Sequence, residues 1–335
     1  MSDIGIGIIG TGFMGQSHAL AYRAAGGIFP LQRKPVLEMV ADNNEAAGAA
    51  AFRQYVFRRV TNNWRELVND PAVHIVSITT PNTLHKEMAL AAIAAGKHVH
   101  CEKPIAPNAA DAKEMLEAAE KAGVKTQVGF NYIKNPVLKL ARDMIASGEL
   151  GDIIGFRGIH AEDYMTDPDG VWSWRLDPKG GGGVIADLGS HIIGMARFLL
   201  GPITELFADL ETVVPTRPIA PGSSERRAVD VDDIARLTVK FARGCRGSIE
   251  ANWCATGRKM QLGFEVAGTK GSLSFTQERF NELRYYKVGG DTRHQGFTTI
   301  EAGPAHAPDR GWAESVDRQA AQRAERLEGE LAGYK

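Results

Sequence analysis

The sequence has few cysteines, almost no net charge and no long apolar run. Its 335 residues contain three cysteines, which lack metal-ligand spacing and are too few for a disulfide framework, so we expect reduced packing residues in a cytoplasmic protein. A net charge of −1 gives no overall positive electrostatic potential that would attract nucleic acid. No apolar run reaches the roughly 18 residues of a membrane span. We also expect no secretory leader, because the apolar segment 4–9 lacks a basic leader and enters a Gly-rich turn.

The first 130 residues alternate short apolar runs with helical patterns. This alternation predicts an α/β domain over 1–130 with a doubly wound parallel sheet. Helix signals are clearest at Asn108 and Gly123, a predicted N-cap and C-terminal glycine, and at Asn135-Pro136, which opens a helix predicted to end near Gly148. Strands are predicted at 4–9, 36–41, 73–79, 97–101 and 125–129, and helices at 13–25, 45–54, 83–95 and 109–122.

The pattern changes after about residue 150. A helix is predicted to open at Gly180–Gly183 and run to about Leu200, and 215–224 is predicted to be a loop. Many strands with few helices favour an α+β domain over 131–310, with a large, mostly antiparallel open sheet. Its uncovered face suggests a homodimer or homotetramer. Its strands are predicted at 153–160, 203–214, 233–241, 245–253, 262–267 and 272–276.

A glycine motif directly follows the first predicted strand and opens a helix. In Gly10-Thr11-Gly12-Phe13-Met14-Gly15, the first glycine would make the tight turn, the second would admit a pyrophosphate, and the third would let helix and strand pack closely. The helix N-terminus offers N–H groups to phosphates. The motif therefore predicts a Rossmann domain that binds a dinucleotide.

Asp42 ends the second predicted strand, 27 residues beyond Gly15, against a usual spacing of roughly 20 for the ribose-binding acid. The loop 26–35, with its glycines and prolines, can absorb the difference. A carboxylate here accepts from the ribose 2′-hydroxyl and repels a 2′-phosphate, which favours NAD over NADP. The alternative is a strand-end Asp that caps the next helix, and nearby Arg33 and Lys34 could soften the preference.

Three further motifs follow in order, and together they resemble the Gfo/Idh/MocA family, which includes glucose–fructose oxidoreductase and inositol dehydrogenase. The resemblance covers about residues 4–300 and says little about the substrate. The motifs are Thr79-Thr80-Pro81-Asn82-Thr83-Leu84-His85, Glu102-Lys103-Pro104, and Gly182 followed by Asp187-Leu188-Gly189-Ser190-His191.

The resemblance implies a role for each matching residue. Lys103 would lie beside the nicotinamide and bind the reacting hydroxyl, Asp187 would orient the substrate, and His191 would be the general acid/base. Glu102 would contact the nicotinamide ribose. The remaining cofactor-cleft residues would be Thr80, Pro81, Asn82, His85 and, after the last Rossmann strand, Asn131.

The residues themselves support part of this assignment. Glu102 and Lys103 follow a strand at the carboxyl edge of the sheet, where doubly wound folds bind ligands. Pro104 restricts Lys103 to an extended conformation, and a lysine there can stabilise an alkoxide-like oxygen. The alternative is a solvated loop lysine.

Asp187 and His191 are four residues apart, so on a helix they share one face. Their apolar neighbours indicate a buried helix, where a carboxylate and an imidazole need partners. Histidine suits the proton step, although a purely structural Asp–His pair is the alternative. No third ligand has helical spacing, so we expect no catalytic metal.

The substrate side rests on weaker signals. Lys134 stands where family members often have arginine. Its ammonium group is a compact charge, whereas the planar guanidinium of arginine can donate two parallel hydrogen bonds. The segment His160–Arg175 carries Asp163, Tyr164, Trp172, Trp174 and Arg175 before the Gly run. Its aromatic rings could stack on a sugar ring, while its Arg and His could bind hydroxyls. The same cluster could equally form a packing lid or an oligomer contact.

These observations favour an NAD(H)-dependent oxidoreductase that acts on a secondary alcohol of a sugar, inositol or related polyol. Two alternatives stay open: an NAD-dependent glycoside hydrolase of the same family, and a non-catalytic sugar or cofactor sensor. The segment 311–335 departs from the family pattern, because relatives continue for several dozen residues after about Pro308. This segment can form a helix, but the apolar stripe of that helix would be narrow and rich in alanine.

Overall fold

The computed structural model describes residues 3–29, 31–180 and 182–303, so the atypical tail 311–335 and its predicted helix lie outside the described residues. The described chain divides into two compact units, 3–129 and 130–303. No described helix is long and apolar enough to cross a membrane.

The first unit is built on a sheet of six parallel strands in the order β3-β2-β1-β4-β5-β6. The strand order reverses between β1 and β4, and ligands of doubly wound sheets bind outside the carboxyl ends of the strands at such a switch point. The strands are β1 (Asp3–Ile9), β2 (Lys34–Ala41), β3 (Arg59–Thr61), β4 (Ile75–Ile78), β5 (His98–Cys101) and β6 (Thr126–Val128).

Helices connect these strands, and asparagine caps begin three of them. The Asn44, Asn63 and Asn108 side chains each accept a backbone N–H of the first turn, as predicted for Asn108, and Gly123 ends its helix in the left-handed conformation. Apolar clusters line the sheet, with Ile6, Ile8 and Val76 almost fully buried. The helices are α1 (Phe13–Ile28), α2 (Glu45–Tyr55), α3 (Trp64–Asn69), α4 (His85–Ala94) and α5 (Ala109–Ala122).

The second unit begins with α6 (Pro136–Ala146) and is dominated by an eight-stranded sheet in the order β16-β15-β14-β13-β7-β12-β11-β8. Every neighbouring pair is antiparallel except β7 and β12. The strands are β7 (Ile153–Ala161), β8 (Ile203–Glu211), β11 (Ile234–Phe241), β12 (Arg246–Asn252), β13 (Gln261–Gly268), β14 (Gly271–Thr276), β15 (Glu282–Lys287) and β16 (Thr298–Glu301).

One face of this sheet packs against α6 and α7 (Ser190–Leu200), and the packing brings α7 close to β7. Ile192 and Met195 of α7 are fully buried in the same core as Phe156 of β7. A Cβ on Gly158 would lie 2.9 Å from the Ile192 side chain, so glycine at this position allows the close approach.

The structure confirms both predicted architectures and corrects several elements. The predicted loop 215–224 contains β9 (Thr216–Pro218), which pairs with β10 (Arg226–Ala228). The elements β3, α3, β15 and β16 were not predicted. The helix predicted from Gly180–Gly183 to Leu200 is not regular, because Ile185–Gly189 forms a π-helical turn before α7.

Candidate active site

The glycine motif forms the turn between β1 and α1, as predicted. Gly10 has a φ of 97°, a left-handed conformation that suits glycine. A Cβ on Gly15 would lie 2.1 Å from the Gly10 carbonyl oxygen, so glycine is needed for this close packing. A Cβ on Gly12 would meet no described atom within 4 Å. Gly12 is the N-cap residue of α1 and has no side chain that would cover the turn. The backbone N–H groups of the turn are therefore accessible to a pyrophosphate.

Asp42 directly follows β2 and is tied to the same turn. Its Oδ2 accepts the backbone N–H of Thr11 at 2.8 Å and the Thr11 hydroxyl at 2.5 Å, while its Oδ1 accepts the Asn44 N–H. The side-chain cap of α2 is Asn44 and not Asp42. Arg33 donates to the Asp3 carbonyl. The carboxylate therefore lies at the mouth of the glycine turn, where a ribose-binding acid is needed.

Glu102 lies at the end of β5 and belongs to a buried network. Its Oε1 is 3.0 Å from Nε2 of His18 on α1, and its Oε2 accepts the backbone N–H of Lys103. The other ring nitrogen of His18 is 2.7 Å from the Ser77 hydroxyl, and its ring stacks on His100. Burial opposes ionisation of Glu102, but the hydrogen bond and charge of His18, together with the charge and backbone N–H of Lys103, outweigh it and hold the pKa of that carboxyl below its usual value. Glu102 thus sets the start of the segment that carries Lys103.

His85 links the Lys103–Pro104 segment to the end of β4. It is fully buried, and its ring nitrogens lie 2.8 Å from the Thr80 carbonyl oxygen and 3.0 Å from that of Pro104. Burial lowers the pKa of this imidazole. Asn82 is also buried, and it lies in the single helical turn Asn82–Leu84 that directly precedes α4. His85 therefore holds the carboxyl-edge loops of the first unit together.

Asp187 lies at the centre of the π-helical turn in the second unit. Its Oδ2 accepts the Tyr164 hydroxyl at 2.8 Å and the Arg175 Nε at 3.1 Å. Burial, and next the charge of Asp187, raise the pKa of Tyr164 well above its ordinary value, so this phenol keeps its proton and acts as a donor. Two donors thus orient the Asp187 carboxylate, which is partly buried.

His191 lies in the first turn of α7 and is buried among aromatic rings. Its ring meets Tyr132 edge to face at a centroid distance of 4.7 Å and Phe130 at 6.1 Å. The ring of His160, on β7, is 5.7 Å away. Within the second unit, Tyr164 and Arg175 thus hold Asp187, and His191, four positions further along the chain, packs against Tyr132.

The other predicted substrate residues have varied surroundings. The Trp172 indole N–H donates to the Ala228 carbonyl, and the Arg227 guanidinium lies over its ring at 3.7 Å. Trp174 is 37% exposed, with the Arg175 guanidinium over its ring. Lys134 is exposed at the end of the single turn Tyr132–Lys134, which Asn131 precedes. Trp172 is thus engaged by the β9–β10 ribbon, whereas Trp174 and Lys134 present accessible surface.

His18 was not predicted, and His160 and Tyr164 were named only as members of the segment His160–Arg175, without their partners. His18 had a usable signal, since it lies three residues after Gly15 and hence on the same side of α1. The cysteines behave as expected: Cys101 and Cys245 are buried, and burial raises the pKa of Cys254 to about 11. Among the described residues no cluster of histidine, cysteine, aspartate or glutamate could hold a metal ion.

Comparison with known proteins agrees with these features. Residues 4–130 match the model of the oxidoreductase family with an NAD-binding Rossmann fold, and residues 138–274 match a GFO/IDH/MocA C-terminal domain. A levoglucosan dehydrogenase of Pseudarthrobacter phenanthrenivorans is 38% identical over 319 residues, which is 91% of this chain and 82% of that protein. A 1,5-anhydro-D-fructose reductase of Ensifer adhaerens is 35% identical over 80% of this chain and 74% of its own length.

Solved structures give the same result. A levoglucosan dehydrogenase in complex with NADH and L-sorbose is 36% identical, with a TM-score of 0.89 over 99% of this chain and 90% of that chain. An NAD-binding oxidoreductase from Klebsiella pneumoniae is 41% identical, with a TM-score of 0.87 over 100% of this chain and 91% of that chain. From its glycine turn, its Glu-Lys-Pro segment and both matching domains, this chain belongs to the Gfo/Idh/MocA family of NAD-dependent oxidoreductases.

Proposed function

We propose that the protein oxidises a secondary hydroxyl of a sugar or related polyol with NAD, or reduces the corresponding ketone with NADH. The observation that carries this proposal is the Asp187–His191 pair, in which Tyr164 and Arg175 orient a carboxylate four positions before an imidazole. A sugar offers neighbouring hydroxyls that such a pair can bind and deprotonate. The named relatives include a levoglucosan dehydrogenase and a 1,5-anhydro-D-fructose reductase, which supports an anhydrosugar as the substrate.

The roles of the residues follow from their chemistry. The glycine turn would hold the pyrophosphate and Asp42 the adenosine ribose, and bound NAD supplies the acceptor for the hydride. Lys103 would donate to the reacting oxygen, where negative charge develops. Asp187 would orient the substrate, with Lys134 and Trp174 as further contacts, and His191 would take the hydroxyl proton.

A sugar panel tests this function. Purified protein with NAD would be offered levoglucosan, myo-inositol, glucose, glucose 6-phosphate and an aryl glucoside, and with NADH it would be offered 1,5-anhydro-D-fructose. We expect a steady change in absorbance at 340 nm, largest with an anhydrosugar. Cleavage of a glycoside without net change at 340 nm would favour the hydrolase, and binding with no turnover of any compound would favour the sensor.

We predict that Asp42 makes NAD bind more tightly than NADP. The carboxylate repels a 2′-phosphate, so Asp42→Ala should reduce the preference for NAD by at least about ten-fold, equivalent to about 1.4 kcal/mol. Thr11→Val is the matched control, because it removes the hydroxyl that donates to Asp42 but keeps the carboxylate and should keep the preference. Titration calorimetry with NAD and NADP measures this preference. Equal affinities for the two cofactors in the unmodified protein would refute the prediction.

We also propose a cytoplasmic homodimer or homotetramer built on the second unit. The edge strand β8 is exposed along nearly all its length, with Phe207 72% exposed. Cross-strand ion pairs of Lys240 with Glu205 and of Arg236 with Glu211 line the same open face. A face that combines an exposed aromatic ring with both signs of charge suits self-complementary pairing.

Light scattering at micromolar concentration should return two or four times the mass of the chain. Phe207→Glu should shift the population toward lower mass, because it places a further acid beside Glu205 and Asp209. Thr238→Ser, on the neighbouring position of β11, is the control and should not change the mass. A monomer for the unmodified protein would rule out the proposed assembly.

A further inference from the structure

The π-helical turn that carries Asp187 receives a hydrogen bond from outside its own helix. His160, on β7, is 1% exposed, and its Nδ1 lies 3.0 Å from the Leu188 carbonyl oxygen. A π-helical turn inserts an extra residue into a helix and disturbs its regular hydrogen bonding, and such turns are frequent at functional sites. The His160 ring therefore contacts the turn at the residue between Asp187 and the start of α7.

The contact with Leu188 requires a hydrogen on one particular nitrogen of His160. A carbonyl oxygen can only accept, so Nδ1 carries a hydrogen. The other nitrogen, Nε2, lies 3.2 Å from Oε1 of Glu162. The edge of Tyr132 packs against the ring. His160 is thus held at both nitrogens, and its orientation is set before any substrate binds.

The π-helical turn has three sets of external partners, and each acts on a different part. At its beginning, Asp232 accepts the Ile185 N–H. At its centre, Tyr164 and Arg175 donate to Asp187. At its end, His160 donates to Leu188. Because the last contact is the one nearest to His191, loss of it should change the direction in which α7 leaves the turn.

We propose that His160 is a positioning residue for the oxidation, which it serves by holding the Leu188 carbonyl and, through it, the relative placement of Asp187 and His191. Glu162 supports it by fixing the ring. This inference rests on the proposed function, because it takes Asp187 and His191 as the pair that acts on the substrate. It adds a residue that touches neither substrate nor cofactor.

Three substitutions of His160 distinguish its hydrogen bond to Leu188 from its hydrogen bond to Glu162. Asn places an amide N–H near the position of Nδ1, so His160→Asn keeps the bond to Leu188. Gln places it near Nε2, so His160→Gln keeps only the bond to Glu162. His160→Leu fills the space but keeps neither. With levoglucosan and NAD as the probe, we expect His160→Leu and His160→Gln to lose about 100-fold in kcat, the loss typical of a misplacement of about 1 Å, and His160→Asn to retain kcat within about three-fold.

A matched control separates positioning from general destabilisation. Phe156→Leu removes core packing from the same strand without touching the turn, so it should lower the melting temperature but keep kcat. The NAD dissociation constant should be unchanged in all four variants. A readout independent of turnover is the nitrogen NMR spectrum of labelled histidines, in which His160 should show a hydrogen on Nδ1 in the unmodified protein.

The outcomes are distinguishable from a failure of the proposed function. If His191→Asn keeps its activity, or no compound of the sugar panel is turned over, the proposed roles fail, and the NMR result alone then decides whether His160 holds the turn. If His191→Asn loses activity but His160→Leu does not, the positioning role is overturned and the proposed function stands. Equal losses in His160→Asn and His160→Leu, or an Nε2–H form with a bare Nδ1, would also overturn it.

Discussion

His191→Asn should lower the rate of sugar oxidation on the order of 10²–10⁴-fold, the usual contribution of a general base. The substrate hydroxyl must lose its proton as the hydride leaves, and His191 is the imidazole four positions after the oriented Asp187 carboxylate. Asparagine keeps a polar side chain in the buried aromatic surroundings but cannot take up the proton. The measurement is kcat from the absorbance at 340 nm, together with the NAD dissociation constant, which should be unchanged.

The pH profile gives this prediction a sharper form. In the unmodified enzyme, oxidation should fall at low pH, because a protonated imidazole cannot accept a further proton. The small residual rate of His191→Asn should lack that acidic limb. A variant with most of its activity would make His191 structural. A variant that is slow but keeps the same acidic limb would move the base to another group, with Lys103 as the next candidate.

Lys103→Ala should remove most turnover, on the order of 10²–10³-fold, while leaving NAD affinity largely intact. Loss of one donor to a developing oxyanion has this magnitude. The structure supports a defined place for this lysine, since its backbone N–H is held by Glu102 and the following Pro104 carbonyl contacts His85. A side chain that acts on the reacting oxygen should change kcat, whereas one that binds pyrophosphate would change cofactor affinity.

Lys103→Arg is the matched control, because it keeps the positive charge but replaces a compact ammonium by a planar guanidinium. We expect it to recover part of the lost kcat and to leave NAD binding unchanged. Stopped-flow measurement of a single turnover separates the chemical step from product release. A near-normal kcat for Lys103→Ala would show that the lysine is a solvated loop residue.

Several features of the candidate site could be predicted because they depend on neighbours along the chain. The glycine turn, the strand-end position of Glu102 and Lys103, and the caps at Asn108 and Gly123 are all local signals. Their partners could not be predicted. His18 and Glu102 are 84 positions apart, and only the parallel pairing of β1, β4 and β5 brings α1 and the end of β5 together.

The sequence by itself determined the α/β and α+β units, the dinucleotide turn and the family, because hydrophobic period, glycine spacing and strand-end chemistry act over short stretches of chain. Only the tertiary structure decided that β7 pairs parallel with β12, that a π-helical turn interrupts the helix before His191, and that His160 and Tyr164 hold that turn. The physical reason is that a π-helical turn differs from an α-helix only in pairing each carbonyl with the N–H five residues later instead of four. Contacts with residues outside the turn can favour one of these two pairings. Those partners lie between 12 and 47 positions away along the chain, from Arg175 to Asp232, with His160 and Tyr164 at 28 and 23 positions.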